Sequence, residues 1–484
     1  MTKNLYRIGL LTIFLLSLSL RFWGLWRFNT LVFDEIYYAK FGQDYLNHLP
    51  FFDGHPPLGK YMIALGMWLS SYIPFWQEGV NGLTGALRSP WSYRWMNALC
   101  GSFIPIFTAN IAYQISNRPG FALLAGLFTA LDGLFLVESR YALINIYIVI
   151  FGLLGQWLFL LALAHQRQKR NLYLLLAGVA FGASIATKWN GLFYLVGIYL
   201  IWVFAWIWQL ITGKNQSTDE QIDNTSSISS LHKLTQINIR QIILFLGIIP
   251  TVIYSLIWIP HLQINPKYNF IQVHKEILAF HERLGGNTAQ VHPYCAAWYK
   301  WPLLTRPMAY YYQTAQSVND PLPVLGPPLP SGAGKVIYDV HAMGNPFLWW
   351  FSVAALLFLL GMLIAKVAIP LSKQQPLTLP RKLSLDTWIA IYIVLNYAVN
   401  LLPWTRVSRC AFIYHYMTAV VFAFLAIAWF VDQCLRSYHR PLRIAGVTIS
   451  FIIIAAFIFW LPVYLGLPIS PEGYNIRMWF RSWV

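Results

Sequence analysis

Residues 142–164 read ALINIYIVIFGLLGQWLFLLALA, an apolar segment that contains no Asp, Glu, Lys or Arg. An α-helix of about 23 residues is ~34 Å long, which is enough to cross the ~30 Å hydrocarbon core of a bilayer. Further segments of similar character follow along the chain, so the pattern predicts an all-α polytopic membrane protein with about eleven transmembrane helices. The predicted spans are residues 8–27, 94–115, 119–137, 142–164, 172–187, 191–212, 241–260, 346–366, 386–403, 411–432 and 444–466.

The composition also favours a membrane protein. Of the 484 residues, 57% are apolar and 11% are charged, whereas a soluble protein has roughly 25% charged residues. The net charge of +17 would suit a nucleic-acid partner. However, the Lys and Arg residues lie in short loops between apolar segments, where topology and contact with anionic lipids explain them better. We therefore expect membrane lipids, and no nucleic acid, as partners.

The distribution of basic residues predicts the orientation. Fourteen lie in alternate short loops and four in the remaining short loops, and the more basic side of a membrane protein is cytoplasmic. The N-terminus is then cytoplasmic, and residues 28–93 and 261–345 form external loops. The fourteen are Arg118, Arg167, Lys169, Arg170, Lys214, Lys233, Arg240, Lys366, Lys373, Arg381, Lys382, Arg436, Arg440 and Arg443; the four are Arg140, Lys188, Arg406 and Arg409.

Residues 58–76 are the ambiguous segment, because they are almost apolar enough to form a further span. They are barely long enough and carry Lys60 near their start, and a crossing here would reverse the charge bias of every later loop. We therefore predict an interfacial helix in the first external loop. The chain then divides into an N-terminal transmembrane catalytic region with the first external loop (1–260), an external loop (261–345), and a C-terminal four-helix transmembrane region with an external tail (346–484).

An acidic pair, Asp34-Glu35, follows the first predicted span. Two adjacent carboxylates at a water–lipid boundary raise one pKa by desolvation and mutual repulsion, which suits a general base. The alternative for an isolated Asp-Glu is structural: Asp34 would cap a helix that begins at Ile36, and Glu35 would pair with Lys40. The residues that follow favour chemistry, because His55 and Lys60 flank a rigid Pro-Pro turn and suit an anionic phosphate.

Several motifs, in order along the chain, resemble those of the protein O-mannosyltransferases, glycosyltransferase family 39. The resemblance covers nearly the whole chain, and its most specific parts are the His-Pro-Pro-Leu-Gly-Lys and Ala-Thr-Lys-Trp segments. The matching motifs are Phe33-Asp34-Glu35, Phe51-Phe52-Asp53-Gly54-His55-Pro56-Pro57-Leu58-Gly59-Lys60, Glu138-Ser139-Arg140, Ala186-Thr187-Lys188-Trp189, His292-Pro293-Tyr294 with Trp298 and Trp301, Gly344-Asn345-Pro346, and Arg409 with Phe412, Tyr414, His415 and Tyr416.

The resemblance implies a GT-C glycosyltransferase-like fold and an inverting transfer of mannose from polyprenyl-phosphate-mannose to Ser or Thr hydroxyls of translocated proteins. Asp34 is then the base, and Glu35 orients the acceptor or pairs with Arg140. Candidate ligands of the donor phosphate are His55, Lys60, Arg140, Lys188, Arg409 and His415. Candidate contacts to sugar or peptide are Tyr38, Trp189, Trp298, Trp301 and Tyr310.

Each candidate also has a structural alternative. Arg140 can anchor a helix end, Lys188 can extend along the membrane surface, and Trp189 suits the interfacial aromatic belt. His415 can be a hydrogen-bonded core histidine. For Trp298, Trp301 and Tyr310 the alternative is a packed loop core.

The chain departs from the family pattern in two places. The sugar-lectin-like domain that eukaryotic members carry in the large external loop is absent, so the chain looks like a bacterial member. Where many relatives have an Asp after the Ser-Arg motif, this sequence has Asn145, so no ionised carboxylate is available at that position. The four cysteines form no metal-like motif, and a disulfide between Cys295 and Cys410 is one possibility.

Two other functions remain open at this stage. A related transferase would keep the architecture and glycosylate a lipid or a cell-wall glycan. A transporter would need buried polar groups at mid-membrane depth, whereas the candidates cluster externally. For the transferase we expect a multi-pass protein of the cell membrane with an external active site. Its partners are the lipid-linked donor, secreted or membrane acceptor proteins and, as a further expectation, the secretion translocon. We expect no cofactor; the metal requirement stays open.

Overall fold

The computed structural model describes residues 2–73, 79–213, 230–375 and 383–484. Most of these residues are helical, as the apolar pattern predicts. In chain order the helices are α1 (Lys3–Phe22), α2 (Glu35–Leu46), α3 (Leu58–Ser70), α4 (Pro90–Ser116), α5 (Pro119–Ala130), α6 (Gly133–Arg140), α7 (Asn145–Ala164), α8 (Arg167–Ile185), α9 (Leu192–Gly213), α10 (Ser230–Thr235), α11 (Ile239–Ile264), α12 (Phe270–Arg283), α13 (Pro346–Ser372), α14 (Leu385–Leu401), α15 (Met417–Arg436), α16 (Arg440–Tyr464) and α17 (Pro471–Asn475).

Within the described ranges, nine helices are long and apolar enough to cross a membrane: α1, α4, α7, α9, α11, α13, α14, α15 and α16. The α5–α6 pair passes the same test together, and α8 packs against α7 and α11 where the span 172–187 is predicted. These elements follow the order of the predicted spans. Helix α15 lies at the centre of the bundle and is buried along most of its length against α5, α13, α14 and α16.

The span predicted over residues 119–137 is bent in the structure. Helix α5 ends at Ala130, α6 begins at Gly133, and the two axes differ by 58°. Asp132 causes the break by capping α6: its carboxylate accepts the Phe135 N–H at 3.0 Å and also the indole N–H of Trp349 at 2.7 Å. A side chain that satisfies the first turn of a new helix ends the preceding one.

The first external loop contains two helices that do not span. Helix α3 has 13 residues and is therefore about 20 Å long, shorter than the ~30 Å hydrocarbon core. It packs against α2 and α4 instead of continuing through the bilayer. This arrangement agrees with the predicted interfacial helix, although residues 74–78 of that segment lie outside the described ranges.

A small three-stranded sheet adds to the mostly helical architecture. Strands β1 (Met308–Ala315) and β2 (Val336–Ala342) pair antiparallel, and β3 (Pro468–Ile469) in the C-terminal tail adds to the other edge of β2. The first two segments are rich in aromatic and β-branched residues, which suit a pleated surface. The sheet joins the external loop to the tail that follows α16.

Cys295 and Cys410 form a disulfide, with a Cα–Cα distance of 5.1 Å. Backbone hydrogen bonds support the same junction: the Cys410 N–H donates to Gly285 O at 2.8 Å, and the Ala296 N–H donates to Ala411 O at 2.8 Å. The external loop is thereby attached to the segment that leads into α15. The possibility raised by the cysteine pattern is confirmed.

We predict that replacing both Cys295 and Cys410 by Ala lowers the free energy of unfolding by about 2–4 kcal/mol, because the disulfide constrains the unfolded chain. Thermal unfolding of the detergent-solubilised protein, with and without reductant, measures the effect. Cys100→Ala is the control, since Cys100 forms no disulfide. An unchanged melting temperature in the double variant would contradict the expected contribution.

Candidate active site

Glu35 belongs to a buried ion pair with Arg94 of α4. The guanidinium donates twice, from Nε to Oε1 at 2.8 Å and from Nη2 to Oε2 at 2.7 Å, and both side chains are fully buried. The same carboxylate accepts the backbone N–H groups of Val32 and Ala142 at 3.0 and 2.9 Å. The pairing of Glu35 with Arg140 that the sequence suggested is therefore wrong. A bidentate Arg on α4 already satisfies this carboxylate.

Arg140 has a different task from the phosphate binding predicted for it. Its Nη1 donates to the carbonyl oxygens of Leu20, Arg21 and Trp23, at 3.0, 3.1 and 2.7 Å. These oxygens lie at the C-terminal end of α1, where helical carbonyls lack partners and a cation is favourable. The structure thus realises the helix-anchoring alternative, although the anchored helix is α1 and not the helix that carries Arg140.

Asp34 has the opposite environment from its neighbour. It precedes α2, but its side chain forms no capping hydrogen bond, and α2 begins at Glu35. No partner for its carboxylate occurs among the hydrogen bonds of the described residues. Lys40 is exposed and forms no ion pair with Glu35, so both parts of the structural alternative fail. Burial raises the Asp34 pKa to about 6, although nearby Lys188 opposes the rise and Asp53 adds to it.

The backbone before Asp34 adopts an uncommon conformation. Phe33 has a φ of +52°, in the left-handed region that residues other than glycine rarely occupy. Its ring stacks on Tyr310 of β1 with a centroid distance of 4.3 Å. On the other side, Glu35 is held by Arg94. The residues on both sides of Asp34 are therefore fixed by packing and by an ion pair, while its own carboxylate stays without a hydrogen bond.

A cavity of about 400 Å³ opens beside this segment. Its lining combines two cations, three imidazoles and two indoles with apolar side chains. Its lining residues are Gly54, His55, Pro56, Lys188, Trp189, Asn190, Leu192, Phe193, Leu278, His281, Pro403, Trp404, Val407, Arg409 and His415. The cavity therefore contains five of the predicted ligands: His55, Lys188, Trp189, Arg409 and His415.

Lys188 and Arg409 supply the positive charge of the cavity. Burial lowers the Lys188 pKa, while Asp34 is the strongest influence in the opposite direction. Burial and the neighbouring cations lower the pKa of His55 well below its usual value, and that of His281 to about 4. These two imidazoles are accordingly neutral at physiological pH and act as hydrogen-bonding groups. The prediction that His55 contributes as a cation does not fit this environment.

Lys60 supports the cavity from behind. Its ammonium forms an ion pair with Asp53 and donates to the backbone oxygen of His55 at 2.8 Å. The structure therefore does not place Lys60 at the cavity surface as a phosphate ligand, because its donors hold the loop that presents His55. The same loop is joined to the segment before Lys188 by a hydrogen bond from the Leu58 N–H to Ala186 O at 3.0 Å.

The aromatic residues predicted to contact sugar or peptide form two groups, one in the cavity and one in the protein core. Trp189 lines the cavity, whereas Trp298, Trp301, Tyr310 and Tyr38 are packed against the protein core. Trp301 is 1% exposed and stacks on His415 at 6.0 Å, so it supports a cavity residue without reaching the cavity itself. For Trp298, Trp301 and Tyr310 the packed alternative describes the structure, and Tyr38 is packed in the core as well.

Three side chains in or near the cavity were not predicted from the sequence. His281 lies on the amphipathic helix α12 and Trp404 in the turn after α14, and neither belongs to a motif that marks it. Glu138 stood in a quoted motif without a role, yet it is fully buried near Asp34. In the described part of the chain, no three His, Cys, Asp or Glu side chains form a group that could hold a metal ion.

The family model described as dolichyl-phosphate-mannose-protein mannosyltransferase matches residues 11–265, more than half of the chain. The chain belongs to this family. A second model, for the C-terminal four-transmembrane region of protein O-mannosyltransferases, matches residues 266–483. The two matches together extend over nearly the whole sequence, including every residue that lines the cavity.

Curated relatives share this extent. The chain is 23% identical to the polyprenol-phosphate-mannose–protein mannosyltransferase of Mycolicibacterium smegmatis, over 94% of this chain and 88% of that protein. It is also 23% identical to the corresponding protein of Corynebacterium glutamicum, over 89% and 81%. The fold resembles a chain of the donor-bound Saccharomyces cerevisiae Pmt1–Pmt2 complex, with a TM-score of 0.77, 14% identity, and coverage of 100% and 93%.

We predict opposite consequences for two isosteric substitutions in the acidic pair. Glu35→Gln leaves Arg94 buried without its counter-charge and lowers the free energy of unfolding by about 3–5 kcal/mol. Asp34→Asn removes no hydrogen bond seen among the described residues and leaves stability unchanged or slightly higher, because a partly desolvated charge is lost. Thermal unfolding in detergent compares them, and Asp34→Asn serves as the control for Glu35→Gln. Equal melting temperatures would refute the structural role of Glu35.

Proposed function

We propose that this protein transfers mannose from polyprenyl-phosphate-mannose to Ser or Thr hydroxyls of acceptor proteins. The observation that carries the proposal is the position of Asp34, a half-buried carboxylate that forms no hydrogen bond among the described residues and lies near Lys188 of a cationic cavity that is also lined by apolar side chains. The names of the relatives support the substrates, and the shared family supports the reaction class.

The cavity suits both parts of the donor. Lys188 and Arg409 match a phosphodiester, which carries one negative charge. The apolar lining includes Leu192 and Phe193 at the start of the membrane-spanning helix α9, Pro403 and Val407 in the segment after α14, and Leu278 of α12. We propose that the polyprenyl chain leaves the cavity along these residues toward the bilayer. The neutral imidazoles and the indoles are left to contact the sugar.

The chemistry divides between the base and the cations. The acceptor hydroxyl oxygen attacks C1 of mannose, its proton passes to Asp34, and the bond between C1 and the phosphate oxygen breaks. Polyprenyl phosphate leaves with additional negative charge, which Lys188 and Arg409 stabilise more in the transition state than in the ground state. Direct attack inverts the anomeric centre, so a β-linked donor gives an α-mannoside. We expect no further cofactor in this step.

We further propose that the cavity faces the outside of the cell membrane and that the N-terminus is cytoplasmic. The basic-residue bias supports this orientation. The Cys295–Cys410 disulfide lies on the same side as the cavity residue Arg409, and disulfides persist in oxidising, extracytoplasmic compartments. Acceptors would then be secreted or membrane proteins that emerge from the secretion translocon, which makes contact with that machinery an additional expectation.

The decisive experiment uses purified protein in liposomes with labelled polyprenyl-phosphate-mannose and a Ser/Thr-rich peptide. We expect mannose on the peptide, released by β-elimination and cleaved by an α-mannosidase. Asp34→Asn should lower the rate by about 10²–10⁴-fold, the usual contribution of a general base. A peptide with every Ser and Thr replaced by Ala is the substrate control. Transfer to lipid or cell-wall glycan instead of peptide would favour the related transferase and overturn the proposal.

The raised Asp34 pKa predicts a pH dependence. The base acts only when deprotonated, so kcat/KM should rise with pH through a midpoint of about 6 and then level off. Rates from pH 4.5 to 8 at subsaturating donor measure the midpoint. His48→Gln, which removes an exposed imidazole at the end of α2, should leave the midpoint unchanged. A rate that is independent of pH across this range would contradict the assignment of Asp34 as the base.

A further inference from the structure

Glu138, near the C-terminal end of α6, is a fully buried carboxylate, and none of the ion pairs found among the described residues includes it. Its oxygens accept hydrogen bonds from the Tyr310 hydroxyl and from the Asn145 amide nitrogen, which lies 3.2 Å from both Oε1 and Oε2. Burying a carboxylate is costly, and an apolar side chain of similar volume would fill the same space without that cost. Packing alone therefore does not account for an acid at this position.

Asn145 connects Glu138 to the cavity. Its Oδ1 accepts a hydrogen bond from the Lys188 ammonium at 2.7 Å. The amide cannot be reversed, because an ammonium only donates and a carboxylate accepts. The order Glu138–Asn145–Lys188 is thus determined by chemistry, and it ends on one of the two cations assigned to the donor phosphate. Glu138 thus adds to the counter-charge that Asp34 provides for Lys188, and it is linked to the ammonium through a neutral amide.

Tyr310 connects Glu138 to the base. The hydroxyl of Tyr310 is bound to Glu138, and its ring stacks on Phe33 at 4.3 Å. Phe33 holds the left-handed backbone conformation next to Asp34. Glu138 therefore has two sets of contacts. One leads through Asn145 to Lys188, and the other leads through Tyr310 and Phe33 to the segment that carries Asp34.

We propose that Glu138 is a positioning residue of the active site, acting on Lys188 through Asn145 and on the Asp34 segment through Tyr310. This inference rests on the proposed function. It supplies from α6 the carboxylate that Asn145 cannot provide from the start of α7. Asn145 then serves as a relay, with its donor side toward the acid and its acceptor side toward the ammonium.

To test this role, substitutions move the negative charge from residue 138 to residue 145. Glu138→Gln keeps the shape but removes the charge, and should lower kcat/KM for mannosyl transfer about 10- to 100-fold, the effect expected for a hydrogen bond to a charged group. Adding Asn145→Asp places a carboxylate directly against Lys188. The double variant E138Q/N145D should therefore recover most of the lost activity. Asn145→Asp alone sets two carboxylates together and should be impaired.

The rescue separates positioning from folding. If Glu138 only filled space, a second buried charge at residue 145 would not restore the rate, so a double variant no better than Glu138→Gln overturns the proposal. Tyr310→Phe provides a graded comparison, because it keeps the stack on Phe33 and removes one donor to Glu138. It should lower the rate less than Glu138→Gln does.

A second readout keeps the inference independent of the acceptor chemistry. Binding of polyprenyl phosphate needs only the cavity cations, and it raises the melting temperature of the protein that binds it. Glu138→Gln should weaken this binding about tenfold or more, and E138Q/N145D should restore it. If the unmodified protein binds polyprenyl phosphate but transfers no mannose, the proposed function fails. If Glu138→Gln binds and transfers as well as the unmodified protein, the positioning role fails.

Discussion

The buried ion pair between Glu35 and Arg94 is the interaction on which the geometry of the site depends. Two charges without solvent are stable only when each is fully hydrogen-bonded, and Glu35 meets this condition with two guanidinium donors and the N–H groups of Val32 and Ala142. These partners belong to three separate parts of the chain. The pair therefore joins the loop after α1, the helix α4 and the segment before α7, and it determines where Asp34 lies.

Around this ion pair, three carboxylates differ in the groups that surround them. Glu35 is paired with Arg94, whereas Asp34 forms no hydrogen bond among the described residues. Glu138 accepts hydrogen bonds from two neutral groups, the Tyr310 hydroxyl and the Asn145 amide. The cavity shows a similar difference, because its imidazoles are held neutral while Lys188 and Arg409 carry the charge. A site with two cations and one half-buried base suits a reaction in which an anionic phosphate leaves and a hydroxyl loses its proton.

The sequence predicted the membrane architecture well because bilayer thickness imposes a length that composition reveals directly. The sequence did not predict the features that bilayer thickness does not control. The break between α5 and α6 depends on Asp132. Its carboxylate accepts hydrogen bonds from the nearby Phe135 N–H and from the indole of Trp349, which is distant in sequence. The external sheet pairs β2 with a short strand in the C-terminal tail, and non-local pairing leaves little periodic signal.

The sequence alone determined that this is a polytopic membrane protein with acidic, basic and imidazole groups gathered at one face. Only the tertiary structure decided which acid is available. Asp34 and Glu35 are adjacent and carry the same local signal, but the partner that occupies Glu35 is 59 residues away. Arg140 likewise looked like a phosphate ligand until its bonds to α1 were seen. A hydrogen bond satisfies a buried charge only in three dimensions, so the roles of these residues follow from the fold.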